Sequence, residues 1–210
     1  MEYSQPEPEL SAAAMREWEG HVESVLRGLA HALNNRAASV SAVVELWDDP
    51  GQSPGSTRTL LTAEVEQLRE LVAAVRHVGA PRSQVEAFEP SGAAVAARAI
   101  VGLHADLRER MITIDGASAP PVRASKWMFV RALVALAAAV ASRGSASDAA
   151  VIEIRGDAGW VVIRATRAGL TPVLTPYVLE TARLMGGEPL VGVAGFRLPS
   201  LAELRRREGR

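Results

Sequence analysis

Between Leu10 and Trp47 the chain holds no proline and little glycine, and one set of positions recurs at steps of three and four: Met15, Trp18, Val22, Val25, Leu29, Ala32, Arg36, Val40, Val43 and Trp47. That period returns each residue to one side of a helix, so the stretch predicts a long helix with a coiled-coil-like seam. Asp48-Asp49-Pro50-Gly51 ends it, and Gln52 to Gly55 continues the loop. A second helix is predicted from a cap at Ser56 or Thr57, with a stripe of Leu61, Val65, Leu68, Val72 and Val75 widened by Leu60, Leu71 and Val78. Gly79 followed by Pro81 closes it. Two helices joined by a short loop form an antiparallel hairpin, and a hairpin alone leaves each stripe half covered. A second copy, giving a dimeric four-helix bundle, is the expected cover; packing on the C-terminal half of the same chain is the alternative.

After the breaker Gly79 to Pro90 the pattern changes from paired helices to mixed elements. A helix is predicted from a cap at Ser91 to about Arg110, a strand over Met111 to Asp115, and a very apolar helix from Ala124 to Ser142. Ala150 to Arg155 and Gly159 to Thr166 read as strands around a turn at Gly156-Asp157. A helix over Thr175 to Met185 ends at Gly186-Gly187, and Leu190 to Leu198 reads as strand material broken at Gly192 and Gly195. With 210 residues and 48% hydrophobic content there is enough material for two small cores. The expected fold class is α+β, a helical hairpin over 1–80 followed by a small α/β sandwich over 88–204 with a mostly antiparallel sheet covered on one face. The basic end, 205–210, reads as a solvated tail.

A formal net charge of -1 excludes a general pull toward nucleic acid. The absence of cysteine removes disulfides and thiolate metal sites. The most apolar window, Phe129 to Ala141, is too short for a bilayer, which needs about 20 residues. MEYSQPEPEL is acidic and proline-containing rather than leader-like, so a cytoplasmic protein is expected. His21, His77 and His104 have no second histidine at i+3 or i+4, so no metal site is predicted. Trp127, Phe129 and Phe196 read as core, and Asp106 with Arg110 as an ordinary helix pair.

His31 lies off the seam, toward solvent, with Arg27 at i−4, Asn34 at i+3 and Asn35 at i+4 as neighbours on its face. Ala30, Ala32 and Ala38 leave the surroundings open. An imidazole there is a nucleophile at cellular pH, and flanking amides and a guanidinium can hydrogen-bond a phosphoryl group without competing with it.

The run GLAHALNNRAASVSAVVEL resembles the histidine box on the first helix of the dimeric bundle in bacterial histidine kinases, and the order helix, loop, helix, α/β domain follows over nearly the whole chain. The resemblance implies that His31 is the phosphoacceptor, supported by Arg27, Asn34 and Asn35, with partners docking on Leu33, Val40 and Val44 near a rim at Asp48 to Thr57. Ala32 stands where those kinases carry Glu or Asp, which speaks against self-phosphorylation. The helix that should carry Mg²⁺-binding asparagines reads RALVALAAAVASRG, with Ala135 and Ala139 at the aligned places, and a methyl group cannot ligate magnesium. Ala165 to Gly169 offers no carboxylate where an adenine-binding aspartate belongs, and TPYVLETARLMGGEPLV lacks the lid's glycine pattern.

An intact histidine hairpin with an eroded nucleotide domain resembles the ChpT-type histidine phosphotransferases. That implies a homodimer relaying phosphoryl groups between response-regulator receiver domains, with no cofactor of its own, Mg²⁺ arriving with the receiver, and no nucleic-acid or membrane partner. A catalytically silent pseudokinase that binds receivers or a kinase is the competing expectation, and an atypical self-phosphorylating kinase a third.

Overall fold

The computed structural model describes residues 9–47, 54–79, 84–143, 148–167 and 174–209. Helix α1, Ala12–Trp47, and helix α2, Pro54–Gly79, form the hairpin. Ser11 starts α1: its Oγ accepts from the Ala14 N–H at 3.2 Å. Pro54 opens α2 ahead of the expected Ser56 or Thr57, since proline is pre-set for a first helical turn, and Thr57 is buried in that turn. Of the expected rim at Asp48 to Thr57, residues 48–53 lie outside the described residues and 54–57 form the first turn of α2; the breaker residues 80–83 also lie outside the described residues.

The second unit follows as β1 (Val85–Phe88), α3 (Pro90–Leu103), β2 (Ile112–Ser118), β3 (Val122–Ser125), α4 (Lys126–Ala141), β4 (Ala150–Asp157), β5 (Trp160–Thr166), α5 (Pro176–Leu184), β6 (Glu188–Pro189), β7 (Ala194–Pro199) and α6 (Leu201–Glu208). Five strands form one sheet in the order β2-β4-β5-β7-β6, parallel only between β2 and β4. In β4 and β5 buried and part-buried residues alternate, which leaves one face for helices and one for water. On the outer face Glu153 sits opposite Arg164, with Arg164 donating at 3.3 Å. Apart from Lys126 at its start and the buried Arg131, helix α4 is apolar on every side and therefore central: Phe129, Leu133, Val134, Ala135 and Leu136 are fully buried, and Phe129 meets Phe88 and Phe196 edge-on. Trp127 is only part-buried at the rim of this core.

Several boundaries move for local reasons. Phe88 pairs with Val122 as β1 joins β3 in a two-stranded antiparallel sheet, so the second unit begins at Val85 rather than 88. Glu89 stands at the N-cap position of α3 without a side-chain cap bond and Pro90 takes the first turn, in place of the predicted Ser91 cap. Ser125 belongs to β3 and caps α4, its Oγ accepting from Met128 N–H at 3.3 Å. Ala158 (φ 45) and Gly159 (φ 87) make the β4–β5 turn two residues later than Gly156-Asp157, both in the left-handed conformation of a two-residue hairpin. Gly195 sits inside β7, because any Cβ there would meet the Ile163 carbonyl oxygen at 2.1 Å.

The basic end is not a free tail. Ser200 caps α6, accepting from Glu203 N–H at 3.2 Å, and Arg206 and Arg207 turn back onto Glu203. Those two guanidiniums hold the Glu203 carboxyl down to about pKa 2. Arg207 and Arg197 both lie over the Trp160 ring, at 5.1 and 4.3 Å from its centroid.

The hairpin does not stand clear of its own second unit. At the base of α1, Ala14, Trp18 and Val25 are buried. Trp18 stacks on Tyr177 of α5 at 5.2 Å, and the buried Arg131 of α4 lies 5.2 Å from the Trp18 centroid while donating to the Val78 carbonyl near the end of α2. Ser11 donates from its backbone and its hydroxyl to Glu180 at 2.7 and 2.6 Å, and Glu17 accepts from the Tyr177 N–H at 3.0 Å. Self-packing therefore uses the base of the seam, and any second copy is left the distal part.

Candidate functional site

Helix α1 carries His31 just past the point where it crosses the second unit. At Gly28 the helix backbone touches the end of α3: a Cβ there would stand 1.6 Å from the Leu103 carbonyl oxygen. The Ala105 N–H donates to the Ser24 carbonyl at 3.1 Å, and Ser24 Oγ donates to Asp106 Oδ2 at 2.6 Å. A helix α3 continued to Arg110 would run into α1, so it ends at Leu103 and residues 104–110 turn around the crossing. Asp106 is thus a turn residue bound to α1, not half of a helical pair with Arg110. The Ser24 hydroxyl above all holds its carboxyl below the usual range; burial opposes it, and the charges of His104 and Arg27 add to the lowering.

Beyond this crossing His31 is exposed, as its position off the seam predicts. Its Nε2 lies 3.2 Å from Asn35 Nδ2. An amide nitrogen has only N–H to offer, so the contact needs the Nε2 lone pair and places the neutral ring's proton on Nδ1. The lone pair that would attack an electrophile is thereby held by one weak, exposed hydrogen bond. Asn34 is exposed beside it. Arg27 is 4.0 Å from Asp106, both side chains being mostly solvated, so the pair contributes little. One turn on, Arg36 leaves the expected apolar seam role and bonds Glu64 of α2 at 3.1 Å, fixing the two helices together at the level of the site.

The expected docking residues do not join His31. In an unbroken helix at about 100° per residue, Leu33, Val40 and Val44 lie roughly 160°, 180° and 140° around α1 from it. The side that His31 shares holds Arg27, Asn35, Ala38 and Ala42, all exposed. Leu33 and Val44 are exposed in a row with Leu26, and on α2 Val65 and Val72 form a second exposed row at heptad spacing.

No protein-family profile and no curated protein matches the sequence. Solved structures do. The histidine kinase AdeS of Acinetobacter baumannii aligns over 81% of this chain and 98% of its own at 11% identity, with a TM-score of 0.44. A bacterial phosphotransferase aligns over 91% of this chain and 98% of its own at 12% identity, with a TM-score of 0.40.

In the second unit, Ala135 and Ala139 are buried on α4 and present methyl groups to the core. Arg167, its side chain almost wholly buried, donates to the Val140 and Ala141 carbonyls at 2.9 and 3.2 Å, placing a guanidinium on the negative end of α4. Residues 168–173, where the nucleotide segment would continue, lie outside the described residues. Among the described residues no three His, Cys, Asp or Glu side chains converge to hold a metal. No described helix is long and apolar enough to cross a membrane.

Spacing along the chain could not find His21 and His104, which stand 83 residues apart and meet at 3.2 Å across the α1 crossing. The side chain of His77 lies outside the described residues.

Proposed function

We propose that the chain is a histidine phosphotransferase that accepts a phosphoryl group on His31 from one receiver domain and passes it to another, without binding ATP. The observation that carries this reading is an exposed imidazole whose Nε2 lone pair is covered only by the exposed Asn35 amide, on a helix face of small and polar residues. In the first step that lone pair attacks the phosphorus of an aspartyl phosphate; the P–Nε2 bond forms, the P–O bond to the carboxylate breaks, and the carboxylate leaves with its electron pair. The second receiver reverses the step with its own carboxylate. Asn35 swings off Nε2 before attack and is placed to donate to a phosphoryl oxygen afterwards. Mg²⁺ belongs to the receiver, and the buried methyls of Ala135 and Ala139 support a second unit that serves as scaffold.

The exposed rows Leu26, Leu33, Val44 and Val65, Val72 point to a second copy of the hairpin rather than to the receiver. The competing reading is a silent module that binds receivers, and it draws on the Asn35 amide occupying the reactive nitrogen.

Radiolabel transfer decides between them. Incubation with a labelled phospho-receiver is expected to place label on the wild-type chain in an acid-labile, base-stable form and to leave His31→Gln unlabelled. Loss of receiver label to both proteins alike, or to neither, would overturn the relay.

A further inference from the structure

His21 of α1 and His104 of the turn after α3 face one another at the junction, His21 Nδ1 standing 3.2 Å from His104 Nε2 with the rings tilted by 54°. Such a contact needs one N–H and one lone pair, so at least one imidazole must be neutral. We propose that His21 and His104 form a proton-sensitive latch, which joins α1 to the second unit while at most one ring is charged and lets them part when both are.

The groups around the pair support one charge and not two. From α1, Glu17 lies 3.9 Å from His21 Nε2, and Arg27 approaches Asp106. From the turn, Asp106 lies 3.9 Å from His104 Nδ1, and Arg110 lines the same open cleft of about 390 Å³. Helix α4 contributes the uncharged Ala138 and Ala141, with Ser142 at its C-cap, and α5 contributes the Tyr177 N–H that occupies Glu17, with Glu180 beyond it. His21 Nε2 and His104 Nδ1 are both buried without a hydrogen-bond acceptor. A single proton gains attraction from one carboxylate and keeps the N–H···N bond. A second proton sets N–H against N–H between two largely buried rings. Once α1 lifts away, the His104 ring is solvated and takes its proton freely. Burial first, then His21 and Arg27, hold His104 down to about pKa 4 against the pull of Asp106.

Acid therefore favours the parted state. The open fraction rises by up to about tenfold for each pH unit below 6.5 and levels off near pH 4. This inference stands apart from the role of His31.

The Ala105 N–H, bonded to the Ser24 carbonyl across the same junction, reports opening directly. Amide exchange of the full chain, followed by NMR from pH 7.5 to 4.5 and corrected for intrinsic rates, is expected to show Ala105 protection falling by up to tenfold per unit below pH 6.5. Protection of Ile163 in the sheet is expected to hold steady. His104→Gln cannot take up a proton and should flatten the Ala105 profile. His21→Gln, on the more exposed partner, should make it shallower than wild type without flattening it, because its side-chain oxygen accepts from a charged His104 while burial still disfavours that charge. Protection lost at Ala105 and Ile163 together, or an equally steep fall at Ala105 in both variants, would overturn the latch.

Discussion

Gly20 and Gly28 sit about two turns apart on α1 and meet opposite surroundings. A Cβ at Gly20 would find nothing within 4 Å, whereas at Gly28 it would collide with the Leu103 backbone. Helix propensity alone favours alanine at both. Gly20→Ala is therefore expected to raise stability by about 0.5–1 kcal/mol. Gly28→Ala forces α1 off α3 and should cost about 1–3 kcal/mol, as overpacking does. Urea unfolding of the two variants, with the sign reversed between them, checks the crossing. Residue by residue, legibility followed range. The exposure of His31 was visible in helical arithmetic, and the same arithmetic places Leu33, Val40 and Val44 away from it. The His21–His104 contact and the Ser24–Asp106 bond depend on a crossing of distant segments, which no local pattern encodes.

Among the elements, α5 shows how the two halves are joined. Its N-cap residue Thr175 makes no side-chain cap bond, and Pro176 fills the first position. Glu17 supplies the cap from α1, accepting from the Tyr177 N–H where the helix is positive. Burial pushes the Glu17 carboxyl up, yet the neighbouring His21 and Thr175 side chains and the Tyr177 N–H together bring it below its ordinary value. A carboxyl with a lowered folded pKa stabilises above its unfolded pKa, and that contribution disappears as pH falls through the folded one. Glu17→Gln, which keeps an acceptor but loses the charge, is expected to cost about 1 kcal/mol at pH 7. The difference from wild type should narrow as pH drops below about 4.5, measured by denaturant unfolding across pH. The long, strongly periodic elements α1, α2 and α4 were plain in the sequence. The short ones were not: β1 and β3 are four residues each and exist because they pair with one another, and α6 depends on its Ser200 cap, its Glu203 and Trp160 contacts and the Leu201 N–H bond to the Pro121 carbonyl.

At the scale of the whole molecule the hairpin divides its apolar surface between two tasks. The base of α1 buries Trp18 and Val25 against the second unit, and Val43 packs within the hairpin. Leu26, Leu33 and Val44 on α1 and Val65 and Val72 on α2 stay exposed, in rows rotated from the seam that holds the hairpin together. Isolated exposed apolar residues are common on any protein; aligned rows along two neighbouring helices are the surface that the proposed second copy would cover. His31 faces nearly the opposite way from the α1 row, so a two-copy bundle leaves its imidazole open to a receiver. The full chain is expected to sediment with the mass of two copies at micromolar concentration. Val65→Glu with Val72→Glu places four carboxylates in the two-copy interface and should weaken association by about a hundredfold or more, giving the mass of one chain. Because those positions are exposed within one copy, circular dichroism of the variant should match wild type. A wild-type protein that stays single at high concentration would assign the rows to a different partner, whereas a dimer that survives both charges would place its interface elsewhere on the chain.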